Sequence, residues 1–277
     1  MNYCIIPKKF SENQIMSQEK LLLFIPAYNC EKQIIRVLRS ITQEISSLFT
    51  EIVVIENRSL DGTVDSAIQG LKEITNCKTT LLQNDENYSL GGSHKVAFNY
   101  MLDHDYDYVI VLHGDDQGDV NDIANLIKNN VHHQHDVLLG SRFAKGSKLV
   151  GYSAFRTFGN IVLNTLLSIL TFTKITDMGA GLNMYSRDFL KSRFYLLYPN
   201  DLTFNIYMLF YGIWKKTNFI FFPLTWKEDD QVSNAKMFRQ AWNILKLTFE
   251  FALNKKVLEN DFVNGKSEYT SKVLFQK

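Results

Sequence analysis

Short apolar segments alternate with amphipathic segments four times in the first half of the chain. The apolar segments have the length of buried strands and lie at residues 21–29, 51–57, 79–84 and 107–112. Between the first two, apolar side chains recur at helical spacing in one stripe that comprises Ile34, Leu38, Ile41, Ile45 and Leu48. A second stripe follows the next strand and comprises Val64, Ile68, Leu71 and Ile74. The pattern predicts an α/β fold, with a parallel sheet that helices cover on both faces.

The second half of the chain has a less regular pattern. It predicts a strand at residues 136–143, a long helix rich in Phe, Leu and Ile at residues 155–177, and a turn into a short strand at residues 178–186. A further apolar strand is expected at residues 219–226, and residues 234–256 have a helical pattern.

Neither an internal repeat nor a low-complexity linker divides the sequence. We therefore predict an N-terminal extension over residues 1–20, one domain over residues 21–233 and a C-terminal helical extension over residues 234–277.

The composition is that of a globular protein with a sizeable core. Of the 277 residues, 45% are hydrophobic and 21% are charged, and the formal net charge of +1 gives no reason to expect a nucleic acid as partner. Three cysteines without a Cys-x-x-Cys pair indicate reduced thiols, and the first ten residues lack the apolar core of a signal peptide. We expect a cytoplasmic protein.

The longest apolar stretch, residues 161–172, is shorter than the roughly 20 residues that cross a bilayer as a helix. It predicts a core helix or an interfacial segment. A core helix explains the aromatic pattern more simply, so membrane contact, if present, would be peripheral and at the inner face of the plasma membrane.

The strands of the first half end in polar, acid-bearing segments. In sequence order these ends read PAYN, ENRSLDG, QNDEN and HGDDQ. Because ligands of parallel α/β sheets bind outside the carboxyl ends of the strands, we expect these segments to meet at one edge. Taken alone, HGDDQ is a polar loop that ends a buried strand.

Six segments, in this order, resemble those of family 2 glycosyltransferases, which have the nucleotide-sugar-binding GT-A fold. They are IPAYNCEKQI, EIVVIENRSLDGT, HGDDQ, LLGSRF, an Arg…Phe-Gly-Asn…Asn pattern and an Asp…Gly-Leu-Asn-Met-Tyr-Ser pattern. The branch that they resemble most is that of dolichyl-phosphate mannose synthase and related bacterial enzymes. The resemblance implies a GT-A domain over residues 21–233, with a mostly parallel central sheet and helices on both faces.

The resemblance assigns the end of the second strand to the nucleotide. The family usually has Asp-Asp-Gly-Ser-x-Asp-Gly-Thr there, whereas Glu56, Asn57 and Arg58 replace the first three residues in this chain. Glu56 keeps a carboxylate that can accept a hydrogen bond from a ribose hydroxyl or a base N–H, and Asn57 can accept without charge. Pro26 and Tyr28, in the first segment, fall in the same expected nucleotide-sugar site.

A structural role is compatible with this one, since Ser59 or Asp61 can cap the helix that follows the second strand.

The HGDDQ segment matches the family's Asp-x-Asp-x-Gln metal motif. Asp115 falls on the second aspartate, Gln117 on the glutamine and His113 on the first aspartate. Mn²⁺ or Mg²⁺ is the expected cofactor, because a divalent cation stabilises the diphosphate as the sugar–phosphate bond breaks. Imidazole suits Mn²⁺ better than Mg²⁺, so His113 is a candidate metal ligand. It could instead donate to a phosphate or ribose oxygen.

Three further residues match charged positions of the family. Arg142, in GSR, would contact the diphosphate side of the donor, and Arg156 would face a donor or acceptor phosphate. Asp177 matches the acid that deprotonates an acceptor hydroxyl in inverting members. If the acceptor is a polyprenyl phosphate, its oxygen is already ionised and Asp177 would orient it instead. Each arginine could alternatively be a surface cation.

The resemblance implies a metal-dependent, inverting glycosyltransferase of the hexosyltransferase type. Its donor would be a UDP- or GDP-sugar, and its acceptor would belong to surface-polysaccharide or lipid-linked glycan synthesis. The alternatives are a polyprenyl-phosphate glycosyltransferase and, because family aspartates are replaced, a catalytically weak nucleotide-sugar-binding protein. A nucleotidyltransferase is not expected, because no Gly-rich basic loop follows the first strand.

Two other segments have weaker signals. Gly91 and Gly92 open a predicted helix whose N–H groups could face a phosphate, although a structural turn explains them equally well. The histidine-rich residues 132–135 could bind a metal adventitiously, but we expect a solvated loop there.

Overall fold

An eight-stranded sheet forms the centre of the fold in this computed structural model, which describes residues 19–228, 237–259 and 268–277. The strands of both sheets, in chain order, are β1 Leu21–Ala27, β2 Glu51–Glu56, β3 Lys78–Asn84, β4 Tyr108–Leu112, β5 Val137–Ser141, β6 Lys148–Val150, β7 Leu182–Ser186, β8 Phe219–Pro223, β9 Thr225–Lys227 and β10 Ser271–Gln276. The large sheet has the order β10-β3-β2-β1-β4-β7-β5-β8, and β6 and β9 form a separate parallel pair.

The sheet is mostly parallel, as the alternation of apolar and amphipathic segments predicts. Strands β3, β2, β1 and β4 are parallel neighbours, and β5 is parallel to β8. Strand β7 lies antiparallel between β4 and β5, and β10 is antiparallel to β3 at one edge. The carboxyl ends of β1, β2 and β4 therefore meet at one edge of the sheet.

Helices cover both faces of the sheet, which confirms the predicted fold class. They are α1 Glu31–Ser40, α2 Gln43–Ser46, α3 Thr63–Glu73, α4 Ser89–Asp103, α5 Val120–Lys128, α6 Ala154–Thr171, α7 Arg187–Leu190, α8 Phe204–Trp214 and α9 Met237–Leu253. Short 3₁₀ helices lie at Val131–Gln134, Phe194–Leu197 and Lys255–Glu259. None of the helices in the described part of the chain combines the length and the apolar composition that a membrane crossing requires.

Strand β1 shows how the sheet separates two hydrophobic cores. Its side chains alternate in direction, so Leu22 and Phe24 enter one core and Leu23 and Ile25 enter the other. The first core includes Phe98, Phe204 and Phe251 from α4, α8 and α9, and the second includes Leu38, Leu71 and Ile123 from α1, α3 and α5. Because both faces of β1 are buried, the strand is a continuous apolar run, as expected for a covered parallel sheet.

The predicted elements differ from the observed ones in several places. The first stripe is divided between α1 and α2, because Thr42 caps α2 through a 3.4 Å hydrogen bond from Ile45 N–H to its hydroxyl. The strand expected at residues 219–226 is interrupted at Leu224, so that β8 and β9 join different sheets. Helices α5, α7 and α8 and strand β6 are observed where no element was predicted, and α6 ends at Thr171 and not at residue 177. Strand β10 lies in the extension that was predicted to be helical, and that prediction is wrong for these residues.

We predict that Gly140→Ala destabilises the fold, whereas Gly159→Ala does not. A Cβ at Gly140 would overlap the Leu182 carbonyl oxygen of the adjacent strand, and overpacking of this kind costs about 1–3 kcal/mol. Gly159 lies exposed in α6 with nothing within 4 Å of its Cβ position, so alanine there stabilises by about 0.5–1 kcal/mol. Urea denaturation of both variants measures the difference, and equal midpoints would contradict the proposed clash.

Candidate active site

A cleft of about 450 Å³ opens at the carboxyl ends of β1, β2 and β4. Five of the residues that the sequence assigns to the site line it: Pro26, Tyr28, Asn57, His113 and Asp115. The polar strand ends PAYN, ENRSLDG and HGDDQ thus converge as the topology of a parallel sheet requires.

The end of β4 reaches this cleft because Gly114 permits close contact with β1. The Gly114 N–H donates to the Pro26 carbonyl over 3.1 Å, and a Cβ at Gly114 would lie 2.8 Å from that oxygen. His113 and Asp115 on either side of the glycine both line the cleft. The next acid, Asp116, has a φ of 62° and forms a 2.6 Å ion pair with Arg36.

His113 and Asp115 are chemically matched to bind one cation. The His113 Nδ1 and the Asp115 Oδ2 are 3.9 Å apart, and ligand bonds of roughly 2.1 Å each allow both atoms to reach a shared ion. Asp115 also accepts a 3.2 Å hydrogen bond from the backbone N–H of Gln117. The Gln117 carbonyl accepts from Lys227 N–H over 2.9 Å, which fixes the backbone of this turn.

The environment of this pair makes the histidine neutral and the carboxylate receptive to a cation. Burial, assisted by the positive charge of Arg142, lowers the pKa of His113 to about 4, so its ring presents a lone pair at neutral pH. Burial raises the pKa of Asp115 to about 6, because a carboxylate in this cleft lacks full hydration. The Asp115 carboxylate is still mostly ionised at neutral pH, and a bound divalent cation would stabilise that form further. The donor set therefore fits a divalent metal.

Gly181 provides the space for the imidazole of His113. A Cβ at Gly181 would lie 2.6 Å from His113 Cγ, and the His113 N–H donates to the Gly181 carbonyl over 3.1 Å. His113 Nε2 is buried and has no hydrogen-bond partner among the described residues. The glycine directly before β7 therefore allows the ring to pack closely against the backbone.

Glu56 is buried, and its carboxylate organises the turn after β2. Gln83 donates to Glu56 Oε2 over 2.8 Å, and the Ser59 N–H donates to Oε1. The backbone beyond β2 is thereby held in position, while the contact between Glu56 and a nucleoside remains a prediction.

Asn57 reaches the cleft from the same turn, and both the oxygen and the nitrogen of its side-chain amide form hydrogen bonds. Its side-chain oxygen accepts from Asn84 Nδ2 over 2.8 Å and from Tyr88 N–H over 2.9 Å, and its Nδ2 donates to Asn87 over 2.8 Å. The N-cap residue of α3 is Gly62, which has no side chain to cap the helix, but Asp61 accepts from the first helical N–H, that of Thr63, over 3.1 Å.

Arg142 and Asp177 form a buried ion pair next to this cleft. The Asp177 side chain is 1% exposed and accepts from Arg142 Nε, Nη2 and N–H over 2.7, 2.8 and 2.9 Å, and from Gly179 N–H over 3.1 Å. Burial lowers the pKa of Arg142, but the charge of Asp177 outweighs that effect and the net pKa is raised. The two predicted catalytic residues are therefore brought together, with the carboxylate saturated by hydrogen bonds.

Arg156 belongs to the surroundings of this pair and does not line the cleft. Its Nη1 donates to Glu228 over 2.6 Å, and its guanidinium lies 4.6 Å from the centre of the Tyr152 ring. The Arg142 guanidinium lies 5.8 Å from the same ring and 5.2 Å from that of Trp226. Both guanidinium groups thus lie near the Tyr152 ring, and Glu228 takes up one of the five N–H donors of Arg156.

Several residues that line the cleft were not singled out from the sequence. Asn87 and Ser89 follow β3, within the polar strand end QNDEN and the residues after it. Asp201 and Leu202 precede α8 and have no local signal. Their segment is held at the cleft by a contact with residues far away in the sequence, in which Gly91 N–H donates to the Asn200 carbonyl over 2.7 Å.

Gly91 therefore has a packing role in the fold. A Cβ at this position would lie 2.7 Å from the Pro199 carbonyl oxygen and 2.8 Å from Phe204 Cβ. This contact supports the structural explanation of the glycines that open α4.

We predict a solvated loop for the histidine-rich segment, but part of this segment is buried. His132 is 1% exposed, and together with His133 and Glu19 it forms a group of potential metal ligands within 4.8 Å of one another. This group lies at the amino ends of β1 and β5, on the edge of the sheet opposite the cleft.

We predict that Asp177→Ala destabilises the protein by about 3–5 kcal/mol, because it leaves the Arg142 charge buried without its carboxylate. A matched control is Glu73→Ala, since Glu73 forms a similar bidentate pair with Arg39 whose side chain is 52% exposed. We expect little change for the control. Equal loss of stability by both variants in chemical denaturation would contradict the role of burial.

Sequence and structure comparisons agree with this geometry. The model of "Glycosyl transferase family 2" matches residues 23–194. The chain is 23% identical to the UDP-N-acetylglucosamine–dolichyl-phosphate N-acetylglucosaminyltransferase of Methanococcus voltae, over 64% of this chain and 73% of the relative. It is also 23% identical to the undecaprenyl-phosphate mannosyltransferase of Micrococcus luteus, over 62% and 69% of the two chains.

The fold is also that of solved glycosyltransferases. Glucosyl-3-phosphoglycerate synthase from Mycobacterium tuberculosis, in complex with phosphoglyceric acid, matches with a TM-score of 0.61 and 16% identity over 84% of this chain and 81% of that chain. Its complex with Mn²⁺, uridine diphosphate and glucosyl-3-phosphoglycerate matches with a TM-score of 0.59 and 14% identity, over 94% and 90%. The chain belongs to glycosyl transferase family 2 and is a glycosyltransferase with the GT-A fold.

Proposed function

We propose that this glycosyltransferase moves a sugar from a UDP- or GDP-sugar to its acceptor with inversion, and that Mn²⁺ or Mg²⁺ assists. The observation that carries the proposal is the placement of Asp115 and His113 in the cleft that Pro26, Tyr28 and Asn57 also line. The proposal is supported by the structure of glucosyl-3-phosphoglycerate synthase, a protein of similar fold, in complex with Mn²⁺, uridine diphosphate and glucosyl-3-phosphoglycerate.

In the proposed site, Asp115 and His113 hold the cation, with Gln117 as a further candidate ligand. The cation would supply positive charge where the diphosphate leaving group develops negative charge. The Tyr28 side chain is 48% exposed at the cleft and offers an aromatic surface to the nucleoside, next to Asn57.

Arg142 is proposed to act on the donor side through its fixed positive charge. The bidentate ion pair with Asp177 fixes the orientation of the Arg142 guanidinium, so its charge is in position before the donor binds. Arg156 uses its Nη1 to bond to Glu228, and we propose that its remaining N–H donors provide a second phosphate contact.

The proposed donor site is tested by thermal-shift titration of UDP and GDP, with and without Mn²⁺. We expect a Mn²⁺-dependent shift in the natural chain that Asp115→Asn removes. The apparent Mn²⁺ affinity should fall by more than the roughly 10- to 100-fold that loss of an outer-shell partner costs. Asp116→Asn is the matched control, because Asp116 is the adjacent carboxylate and bonds to Arg36.

If the two variants bind Mn²⁺ and nucleotide equally, Asp115 is not the ligand. Tight nucleotide binding without metal-dependent turnover of any UDP- or GDP-sugar would favour a nucleotide-sugar-binding protein instead. His113→Asp provides a further check, because a site that uses imidazole should lose its preference for Mn²⁺ over Mg²⁺.

A polyprenyl phosphate is the acceptor that the surface of α6 favours. Seven large apolar side chains on and just after this helix are exposed to solvent: Phe155, Phe158, Ile161, Val162, Leu166, Ile169 and Phe172. An apolar face of this extent on a surface helix is typical of an interaction site. Two named relatives act on dolichyl phosphate and undecaprenyl phosphate, which supports a lipid as the partner.

The same helix is joined to the proposed acceptor side. The Asn164 side chain in α6 donates to the Thr176 carbonyl over 2.8 Å, directly before Asp177. Because Asp177 is saturated by hydrogen bonds, it is poorly placed to remove a proton, and a phosphate acceptor does not require it to. A bilayer against α6 would present such a phosphate close to the Arg142–Asp177 pair.

We expect the chain to sediment with phospholipid vesicles and the double variant Phe158→Gln/Ile169→Gln to remain in the supernatant. The two side chains are 68% and 63% exposed, and each is worth about 1.5–3 kcal/mol when fully buried, so partitioning should weaken at least about tenfold. The control is Val273→Gln/Leu274→Gln, which removes exposed apolar side chains from β10. Equal sedimentation of both double variants would exclude α6 as the membrane surface.

A further inference from the structure

We propose that Glu19, His132 and His133 form a second metal site, which binds one borderline divalent cation such as Zn²⁺ and which is distinct from the active site. We call these three residues the His–Glu group. Glu19 lies two residues before β1, and the 3₁₀ helix Val131–Gln134 lies before β5. Asp115 instead follows the carboxyl end of β4, so the two sites lie at opposite edges of the sheet.

The ligand atoms of the His–Glu group already converge. His132 Nε2 is 3.0 Å from Glu19 Oε2, His133 Nε2 is 3.1 Å from Glu19 Oε1, and all three residues offer an atom within 4.8 Å of the others. Zinc–nitrogen and zinc–oxygen bonds of about 2.0–2.2 Å place neighbouring ligand atoms roughly 3 Å apart. A cation could therefore enter with small movements of the side chains.

One side of the His–Glu group is rigid and the other is open. The His132 side chain is 2% exposed and packs edge-to-face against Tyr108, with ring centres 5.2 Å apart. The side chains of His133 and Glu19 are 50% and 33% exposed and border a cleft of about 600 Å³. Three protein ligands with access to solvent leave room for a water molecule as the fourth ligand.

The donor chemistry distinguishes this site from the active site. Two imidazoles and one carboxylate favour Zn²⁺, Cu²⁺ or Ni²⁺, whereas the proposed active-site pair has one imidazole fewer. In the metal-free chain the Nε2 atoms donate to Glu19. Metal binding would require each ring to carry its proton on Nδ1, and the buried Nδ1 of His132 has no partner among the described residues.

This missing partner limits the affinity. Loss of an outer-shell hydrogen bond typically weakens a metal site by about 10- to 100-fold, so we expect binding weaker than that of a fully supported zinc site. A bound cation would nevertheless cross-link the segment before β1 to the segment before β5. Because the cation binds the folded chain, it should stabilise that chain by mass action.

The test uses the untagged full chain and Zn²⁺ as the probe. Calorimetric titration and equilibrium dialysis with metal analysis should find one Zn²⁺ per chain in Asp115→Asn, which lacks the carboxylate of the proposed active-site pair, and the natural chain should bind at least as much. His133→Ala and Glu19→Gln should each weaken this binding at least tenfold. His133 is half-exposed, so the alanine variant should keep its circular dichroism spectrum. His135→Ala is the matched control, because that nearby histidine instead contacts Asn218 over 2.9 Å.

Absence of Zn²⁺ binding to the natural chain would overturn the proposal. Binding that is unchanged in both His133→Ala and Glu19→Gln would identify adventitious surface binding and overturn it as well. Mn²⁺-dependent nucleotide binding should be the same in His133→Ala as in the natural chain, so a failure here is separable from a failure of the proposed donor site.

Discussion

The buried ion pair between Arg142 and Asp177 is the interaction on which one side of the candidate active site depends, namely the side that β5 and the loop before β7 form. It joins the end of β5 to the loop that enters β7, and four donors converge on the Asp177 carboxylate. Taking both charges out of water is costly, and the cost is offset only by bidentate geometry and by these additional hydrogen bonds. The pair therefore tolerates little movement, and the neighbouring aromatic rings of Tyr152 and Trp226 are arranged around its cation.

The sequence predicts those parts of the fold and site that depend on local pattern. Strands β1 to β4 follow from short apolar runs, and the convergence of PAYN, ENRSLDG and HGDDQ follows from the rule that parallel strands share a carboxyl edge. Strand β10 has no such signal, because its pairing with β3 depends on a contact nearly 200 residues away along the chain. Leu202 enters the cleft for a similar reason, through packing that only the folded chain creates.

The sequence also does not predict which partners a polar side chain contacts. Glu56 has the residue type expected for a nucleoside contact, and in the folded chain each of its carboxylate oxygens also accepts a hydrogen bond from the protein, one from Ser59 and one from Gln83. His132 belongs to a polar segment that is predicted to be a solvated loop, yet its side chain is buried against Tyr108. In both cases the alternative partners are other protein groups, whose distance becomes known only when the strands are assembled.

His113 changes the charge balance of the proposed active-site metal. The family motif usually provides two carboxylates, whereas this chain offers Asp115 and an imidazole whose lowered pKa keeps it neutral. A divalent cation between these two groups retains one more positive charge than it would between two aspartates. Arg142 does not change this net charge, because Asp177 balances it, although the nearness of its guanidinium contributes to the lowered pKa of His113. The diphosphate of a donor is the natural counterion, so metal and nucleotide should bind together more tightly than either binds alone.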